Sequence, residues 1–327
     1  MSKTELILTL LNINKIGKKT INKLILNPLP SSVDSFEIFN FIIKNLPNFI
    51  IKNLPNFKLN LNIQDVIWAK NKSLNIINYC EKNNIKIMTI LDEDFPIKLK
   101  VIENNPVIIF YKGNKSCIIE NKSVAIIGTR RPTLESEKIT RDIAKVFSNK
   151  NYIIVSGLAH GIDYNAHIST VKNNNKTIAV LPSGISNIYP SDHKRLCEEI
   201  LDNDGCIMSE YFPLEKPYKN HFVERDRLQS ALSLGVIVVE CDTNSGTMHT
   251  VNFAKNQNKI ICCYKHNSMN CRCRSGNMKL LEDKNTIIID NSYNINKIEN
   301  TFIYELNQLD TRIQDTKTLK EQIFFNF

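Results

Sequence analysis

No apolar stretch in the 327 residues approaches the ~20 needed to span a bilayer, so an integral membrane protein is not expected. No secretory leader is legible either. Met1–Thr4 is followed by the short apolar run Leu6–Leu11, with no small-residue cleavage site behind it. The nine cysteines follow no regular spacing, which argues against a disulfide-framed secreted domain and for reduced thiols in a cytoplasmic protein. They also lack a Cys-x2-Cys knuckle. Cys262 and Cys263 are adjacent in a strand-like run, where side chains alternate between faces, and Cys271-x-Cys273 has the wrong spacing. No metal ligand set and no cofactor are expected. Nor does any Gly-x-Gly-x-x-Gly occur, which removes the dinucleotide fingerprint.

What is present is a basic chain of ordinary globular composition. It is 42% hydrophobic and 23% charged, with a formal charge of +9 and a pI near 9.0. Such a charge suits a polyanionic partner. Asn, Ile and Lys crowd the sequence as they do in AT-rich genomes, however, so the charge informs only where cations fall within motifs.

Residues 1–85 are Asn/Lys/Ile-rich, almost free of glycine and apolar in a helical rhythm, and predict a small helical domain. Within them Ile42–Phe49 is repeated unchanged as Ile50–Phe57, a tandem octapeptide too short for a solenoid unit and expected to be a tolerant loop. From Ser123 the texture changes. Short apolar runs at Val124–Ile127, Tyr152–Val155, Thr177–Leu181, Cys206–Met208, Val236–Glu240 and Ile260–Cys263 alternate with amphipathic stretches at Glu135–Ser148, Asp192–Leu201, Phe222–Leu234 and Met248–Asn256. That alternation predicts an α/β fold, a doubly wound and mostly parallel sheet with helices on both faces, over about residues 86–290. A helical tail is expected over 291–327, too short for a complete winged helix.

Three loops follow strand-like runs and lead into helices: Gly128-Thr129-Arg130-Arg131-Pro132-Thr133, Ser156-Gly157-Leu158-Ala159-His160-Gly161, and Asn244-Ser245-Gly246-Thr247. Glycine lets backbone approach a ligand, and helix N-termini favour anions. Three such loops at the carboxyl ends of one parallel sheet predict a phosphate-binding floor. Pro217–Arg227 mixes cations with aromatics, the combination that neutralises phosphates and stacks bases in single-stranded nucleic acid. On residue chemistry alone, Phe222 could equally anchor a helix in the core, and Arg225 and Arg227 could be solvated or salt-bridged.

The order of the blocks resolves the pattern further. Ser123–Thr133 (SVAIIGTRRPT), Val155–His167 (VSGLAHGIDYNAH), Thr177–Pro190 (TIAVLPSGISNIYP), Gly205–Glu210 (GCIMSE), Phe222–Ser233 (FVERDRLQSALS) and Ser245–Thr250 (SGTMHT) together resemble the DNA-processing protein A family, also called Smf. Asp94–Gly113 resembles the family's lead-in, and Ser275-Gly276-Asn277 with Leu280-Leu281 its late segment. The resemblance implies an extended Rossmann-like domain that binds single-stranded DNA, forms a homodimer and helps load a RecA-type recombinase during natural transformation. It also implies that Arg130 and Lys219 contact phosphates, that Phe222 stacks on a base, and that Gly128, Thr129, Ser156, Gly157, Ser245 and Gly246 line the same site. Arg225 joins that DNA-binding set.

The sequence departs from the family in two places. Arg225-Asp226-Arg227 replaces the usual Arg-Asn-Arg, and a carboxylate there either repels phosphate or pairs with an arginine. In Ile13-Asn14-Lys15-Ile16-Gly17, Lys15 replaces one glycine of a Gly-x-Gly hairpin. The competing reading is a Rossmann-type nucleotide sensor or nucleotide phosphoribohydrolase. Those enzymes carry a carboxylate where this chain has Thr250, so no catalytic residue is assigned and the chain is not expected to be an enzyme. Asp163 is expected to hold free amides at the start of a helix, and His160 and His167 to be structural or surface residues.

Overall fold

The computed structural model describes residues 2–26, 63–269, 271–290 and 298–308. The tandem octapeptide and most of the expected tail lie outside these residues. The chain divides into two compact units, one of residues 1–95 with 100–111 and the other of 96–99 with 112–327.

In the first unit α1 (Lys3–Asn12) starts at Ser2, whose side chain accepts a hydrogen bond from the Glu5 amide, one of the amides a helix start leaves without a partner. Its buried Leu6, Ile7, Leu8 and Leu10 hold it in the core of the unit. α2 (Lys18–Leu26) and α3 (Ile63–Lys82) follow, and Asn12 Nδ2 donates to Ser73 Oγ on α3 at 3.3 Å. Between α1 and α2 the backbone of Lys15 has φ 68°, in the left-handed region where a side chain crowds the following carbonyl. The turn keeps a backbone suited to glycine while bearing a lysine. The unit also carries an antiparallel strand pair. β1 (Lys86–Thr89) runs antiparallel to β2 (Ile108–Gly113), with Lys86 opposite Tyr111 and Thr89 opposite Ile108.

The second unit is built from β3 (Ser123–Ile127), α4 (Leu134–Asn149), β4 (Ile153–Ser156), α5 (Ile162–Lys172), β5 (Thr177–Val180), α6 (Lys194–Asp202), β6 (Cys206–Ser209), α7 (Lys219–Leu232), β7 (Gly235–Val238), α8 (Thr247–Asn256), β8 (Ile260–Tyr264), α9 (Ser275–Leu281) and β9 (Ile287–Ile289). Its strands lie in the order β6-β5-β4-β3-β7-β8-β9, every neighbouring pair parallel. These strands are almost wholly buried, which is why they read as continuous runs of Val, Ile and Ala rather than as alternating patterns. From β3 the chain winds one way through β4, β5 and β6, then returns to the other side of β3 at β7. The carboxyl ends of β3 and β7 thus flank the topological switch point, where open α/β sheets bind ligands.

One face of the sheet is covered by α4 and α5. Ile139, Ile143, Phe147, Ile162 and Ala166 pack with Val124, Ile126, Ile154, Ile237 and Tyr264. The helix at 298–308 adds Ile298 and Phe302 to this core, and Phe302 lies 5.8 Å from the ring centre of Phe147. α4 is started by Thr133, whose hydroxyl accepts from the Ser136 amide, with Glu135 and Glu137 placed at the positive end of the helix dipole. The buried Leu228, Ala231, Val251 and Ala254 of α7 and α8 cover the opposite face.

The thiols need one correction. Seven cysteines are free and buried, but Cys271 and Cys273 are joined in a disulfide, where reduced thiols were expected. The backbone between them turns into a short 3-10 helix, which brings their Cα atoms to 5.3 Å, within bridging reach. Among the described residues no helix is long and apolar enough to cross a membrane.

Candidate functional site

A cleft of about 420 Å³ opens at the switch point. The loops after β3 and β7, the start of α5 and the first turns of α7 and α8 form its walls. Of the residues singled out from sequence, Gly128, Thr129, Arg130, Phe222, Arg225, Ser245 and Gly246 line it. Gly157 lies at the back of an adjoining hollow shared with Arg130, Phe222 and Arg225.

The loop after β3 is fixed from below. A side chain at Gly128 would place Cβ 2.5 Å from Ile162 Cγ1 and 2.8 Å from the Glu240 carbonyl oxygen, so only glycine allows α5 and β7 to close on it. The Thr129 amide donates to the Glu240 carbonyl at 2.7 Å, its carbonyl accepts from the Ile162 amide at 3.1 Å, and its hydroxyl accepts from the Arg131 amide at 3.2 Å. Exposed beside Arg131 is Arg130. It makes no ion pair among the described residues, and its guanidinium carbon sits 5.3 Å from the centre of the Phe222 ring. That distance is within cation–π range. Phe222 is half-buried, with Tyr189 edge-on at 5.4 Å, and is not among the buried core residues. The ring therefore forms the wall between cleft and hollow rather than a helix anchor.

Ser156, Lys219 and Arg225 stand apart from that set. Ser156 is fully buried, and its hydroxyl donates to the Ile126 carbonyl at 2.7 Å, so it joins two strands instead of lining the cleft. Lys219, the first residue of α7, is exposed and lines neither cavity. Arg225 lines both but has its guanidinium engaged. Nη1 donates to the carbonyls of Gly157 at 2.6 Å and Val180 at 2.7 Å, while Nε meets Asp226 Oδ1 at 3.1 Å. It clamps the ends of β4 and β5. A Cβ on Gly157 would collide with that guanidinium, which gives this glycine its reason.

The arginine two positions on is further from solvent. Arg227 forms a two-pronged pair with Glu210 at the end of β6, Nη1–Oε1 2.8 Å and Nη2–Oε2 2.6 Å, both side chains being buried. Two carboxylates also reach the cleft. Asp163 accepts from the amides of Gly157 at 3.1 Å and Ala159 at 3.3 Å, in the loop before α5 rather than at the helix start as expected, and burial raises its pKa despite the Arg225 charge. Burial likewise pushes Asp226 up to about 6, against the pull of Arg225. His167 is a core residue. Its Nδ1 lies 2.8 Å from Thr177 Oγ1, and burial lowers its pKa to about 3. Sequence reasoning missed His249, which lies on the exposed face of α8 and lines the cleft. The signal for it was its place one turn after Gly246.

Parallel strands, a switch-point cleft and strand–helix loops packed on glycine define a Rossmann-like protein. A profile of the family described as DNA recombination-mediator protein A matches residues 86–299. The chain belongs to that family.

Its relatives include DNA processing protein DprA of Streptococcus pneumoniae, 38% identical over 53% of this chain and 60% of the relative. The Bacillus subtilis protein of the same name is 34% identical over 55% and 60%. The matched region thus spans about 60% of the length of these relatives. Among solved structures, DNA processing protein A of S. pneumoniae superposes with a TM-score of 0.71 at 26% identity, covering 88% of this chain and 95% of that one. DNA processing protein A of Helicobacter pylori, described for its single-stranded DNA binding mode, gives 0.60 at 29% identity over 68% and 96%.

Proposed function

We propose that this protein binds single-stranded DNA along the switch-point cleft, protects incoming strands and passes them to a RecA-type recombinase in natural transformation, acting in the cytoplasm as a homodimer and not as an enzyme. The observation that carries the reading is Arg130 held over the half-buried Phe222 ring at the mouth of the cleft. A cation and an aromatic face in contact give one nucleotide a phosphate partner and a stacking surface together. Ser245 spends its hydroxyl and amide on the Asp242 carbonyl and so fixes the start of α8, whose positive end at Gly246 supplies a second anionic seat, with Lys219 a third contact further along the strand. The set of Gly128, Thr129, Gly157 and Arg225 acts one step back, by holding these groups in place. The recombinase and the second copy of the chain are taken from the family resemblance.

The test is an anisotropy titration of a labelled oligonucleotide, single-stranded against duplex, across a range of salt. Binding should favour the single strand, and its logarithm should fall linearly with log salt as counterions are released. Equal affinity for duplex, or a response flat in salt, would refute the reading. Binding of a free nucleotide alone would turn it toward the sensor or phosphoribohydrolase.

A further inference from the structure

The loop after β4 and the turn entering α6 bring one histidine against an adjacent Asp-His pair. His160, Asp192 and His193 each place a metal-ligating atom within 4.8 Å of the others. His160 Nε2 is 3.7 Å from Asp192 Oδ2, and the two imidazoles meet edge to face at 4.7 Å. His193 is the buried member, and its Nδ1 lies 2.8 Å from the Leu158 carbonyl oxygen. A carbonyl can only accept, so Nδ1 carries the proton and the lone pair is left on Nε2. That is the backbone contact by which metal-ligating histidines are fixed in tautomer and orientation. The Leu158 backbone, at φ 61°, is held in the left-handed region as it presents that carbonyl.

We propose that His160, Asp192 and His193 form a divalent-metal site, best suited to zinc, with its remaining coordination positions open to water or to a phosphate oxygen. Two neutral imidazoles and one carboxylate are a donor set for zinc, and they exclude the all-oxygen preference of calcium or magnesium. A tetrahedral ion with bonds of about 2.0–2.1 Å needs its ligands about 3.4 Å apart, so the present spacing closes by roughly 1 Å. The movement falls to the two members able to make it, since the side chains of His160 and Asp192 are 51% and 65% exposed. His193 stays fixed as the template. His160 also edges the hollow behind Phe222, so a bound ion would lie beside the proposed strand path. The site rests on its own ligands and not on that path. A sequence scan passes over it because only the fold brings His160 to the Asp192-His193 pair.

The experiment uses the whole chain, stripped with a chelator and titrated with cobalt followed in the visible spectrum, then with zinc by calorimetry. One equivalent of cobalt should bind with ligand-field bands and no thiolate charge-transfer band, and zinc should displace it. His160→Ala and Asp192→Asn should each weaken binding at least tenfold, with metal-free melting unchanged because both residues are exposed. His249→Ala, a histidine outside the cluster, should leave it unaltered. No saturable binding, undiminished binding in His160→Ala, or a thiolate band placing the ion on cysteines would each overturn the proposal.

Discussion

Arg225 and Arg227 on α7 are buried and engaged by carbonyls and carboxylates, while Arg130 and Lys219, at the rim, are exposed and make no ion pair among the described residues. All four carry the same charge and all four fall in blocks that mark the family. Their surroundings divide them. The interior pair holds strand ends and a buried carboxylate in register. The rim pair faces solvent, and the proposed function gives its donors to a ligand. Position within a motif therefore tells which residues matter, and burial tells what they do.

The largest effect should come from the interior. Arg227→Ala leaves Glu210 charged, buried and uncompensated, and should lower stability by about 3–5 kcal/mol in urea unfolding at pH 7. A loss below about 1 kcal/mol would mean that water reaches the pair and would erase the contrast with the rim. Next is Phe222→Ala, expected to weaken oligonucleotide binding by about 1–3 kcal/mol with little change in melting, while Phe222→Trp still binds. Core-like destabilisation of about 3–5 kcal/mol would assign the ring to packing instead.

Arg130→Ala should cost more than about 1 kcal/mol of binding at near wild-type melting temperature, and Arg130→Lys should not restore it, since an ammonium lacks the planar fork. A variant that unfolds would move Arg130 into the interior class.

Asp226 tests the boundary between the two groups. Burial lifts its pKa to about 6 in the folded chain, above the ~3.9 of an unfolded aspartate. The folded state therefore holds the proton more tightly between these values, and the contribution of Asp226 to stability is greatest below about pH 4 and lost as pH rises through 6. Asp226→Asn should gain on the wild type as pH rises from 4 to 7 and level off above. Its oligonucleotide affinity at pH 7 should exceed wild type by about 1 kcal/mol, the difference shrinking toward pH 5. Parallel pH profiles for the two proteins would show that the carboxylate is solvated. The smallest expected effect is at Lys219. Its replacement by alanine should reduce the salt slope by about one, uniformly over sequences.

Strands β3 to β8 were legible because both faces of the sheet are covered there, so burial selects unbroken apolar runs whose ends fall within a residue or two of the observed strands, whereas the short, partly exposed β9 at the sheet edge was not read. Helices α4 and α8 were legible from their apolar rhythm, and the glycine loops from chain order. The fates of Ser156 and Arg225 were not. A hydroxyl at a strand end serves a ligand or a neighbouring carbonyl equally well by composition, and here the Ile126 carbonyl lies within reach. The partner of Arg227 is the carboxylate of Glu210, on a strand that only the fold brings near. Periodicity sees the face on which a residue lies but not the charge awaiting it there.

The Asp163 carboxylate accepts from two amides of the loop after β4, the seat that a phosphate takes in many Rossmann proteins. The chain thus carries its own permanent occupant there. A mononucleotide loses one anchorage before it arrives and is left with shallow contacts that release quickly. A polymer does not depend on any single anchorage. Each nucleotide that settles raises the local concentration of the next, so residence time should climb steeply with strand length and collapse for the shortest fragments. Under the proposed function, filling that seat from within would make length, rather than base or phosphate chemistry, the property by which the cleft tells a strand from free nucleotides.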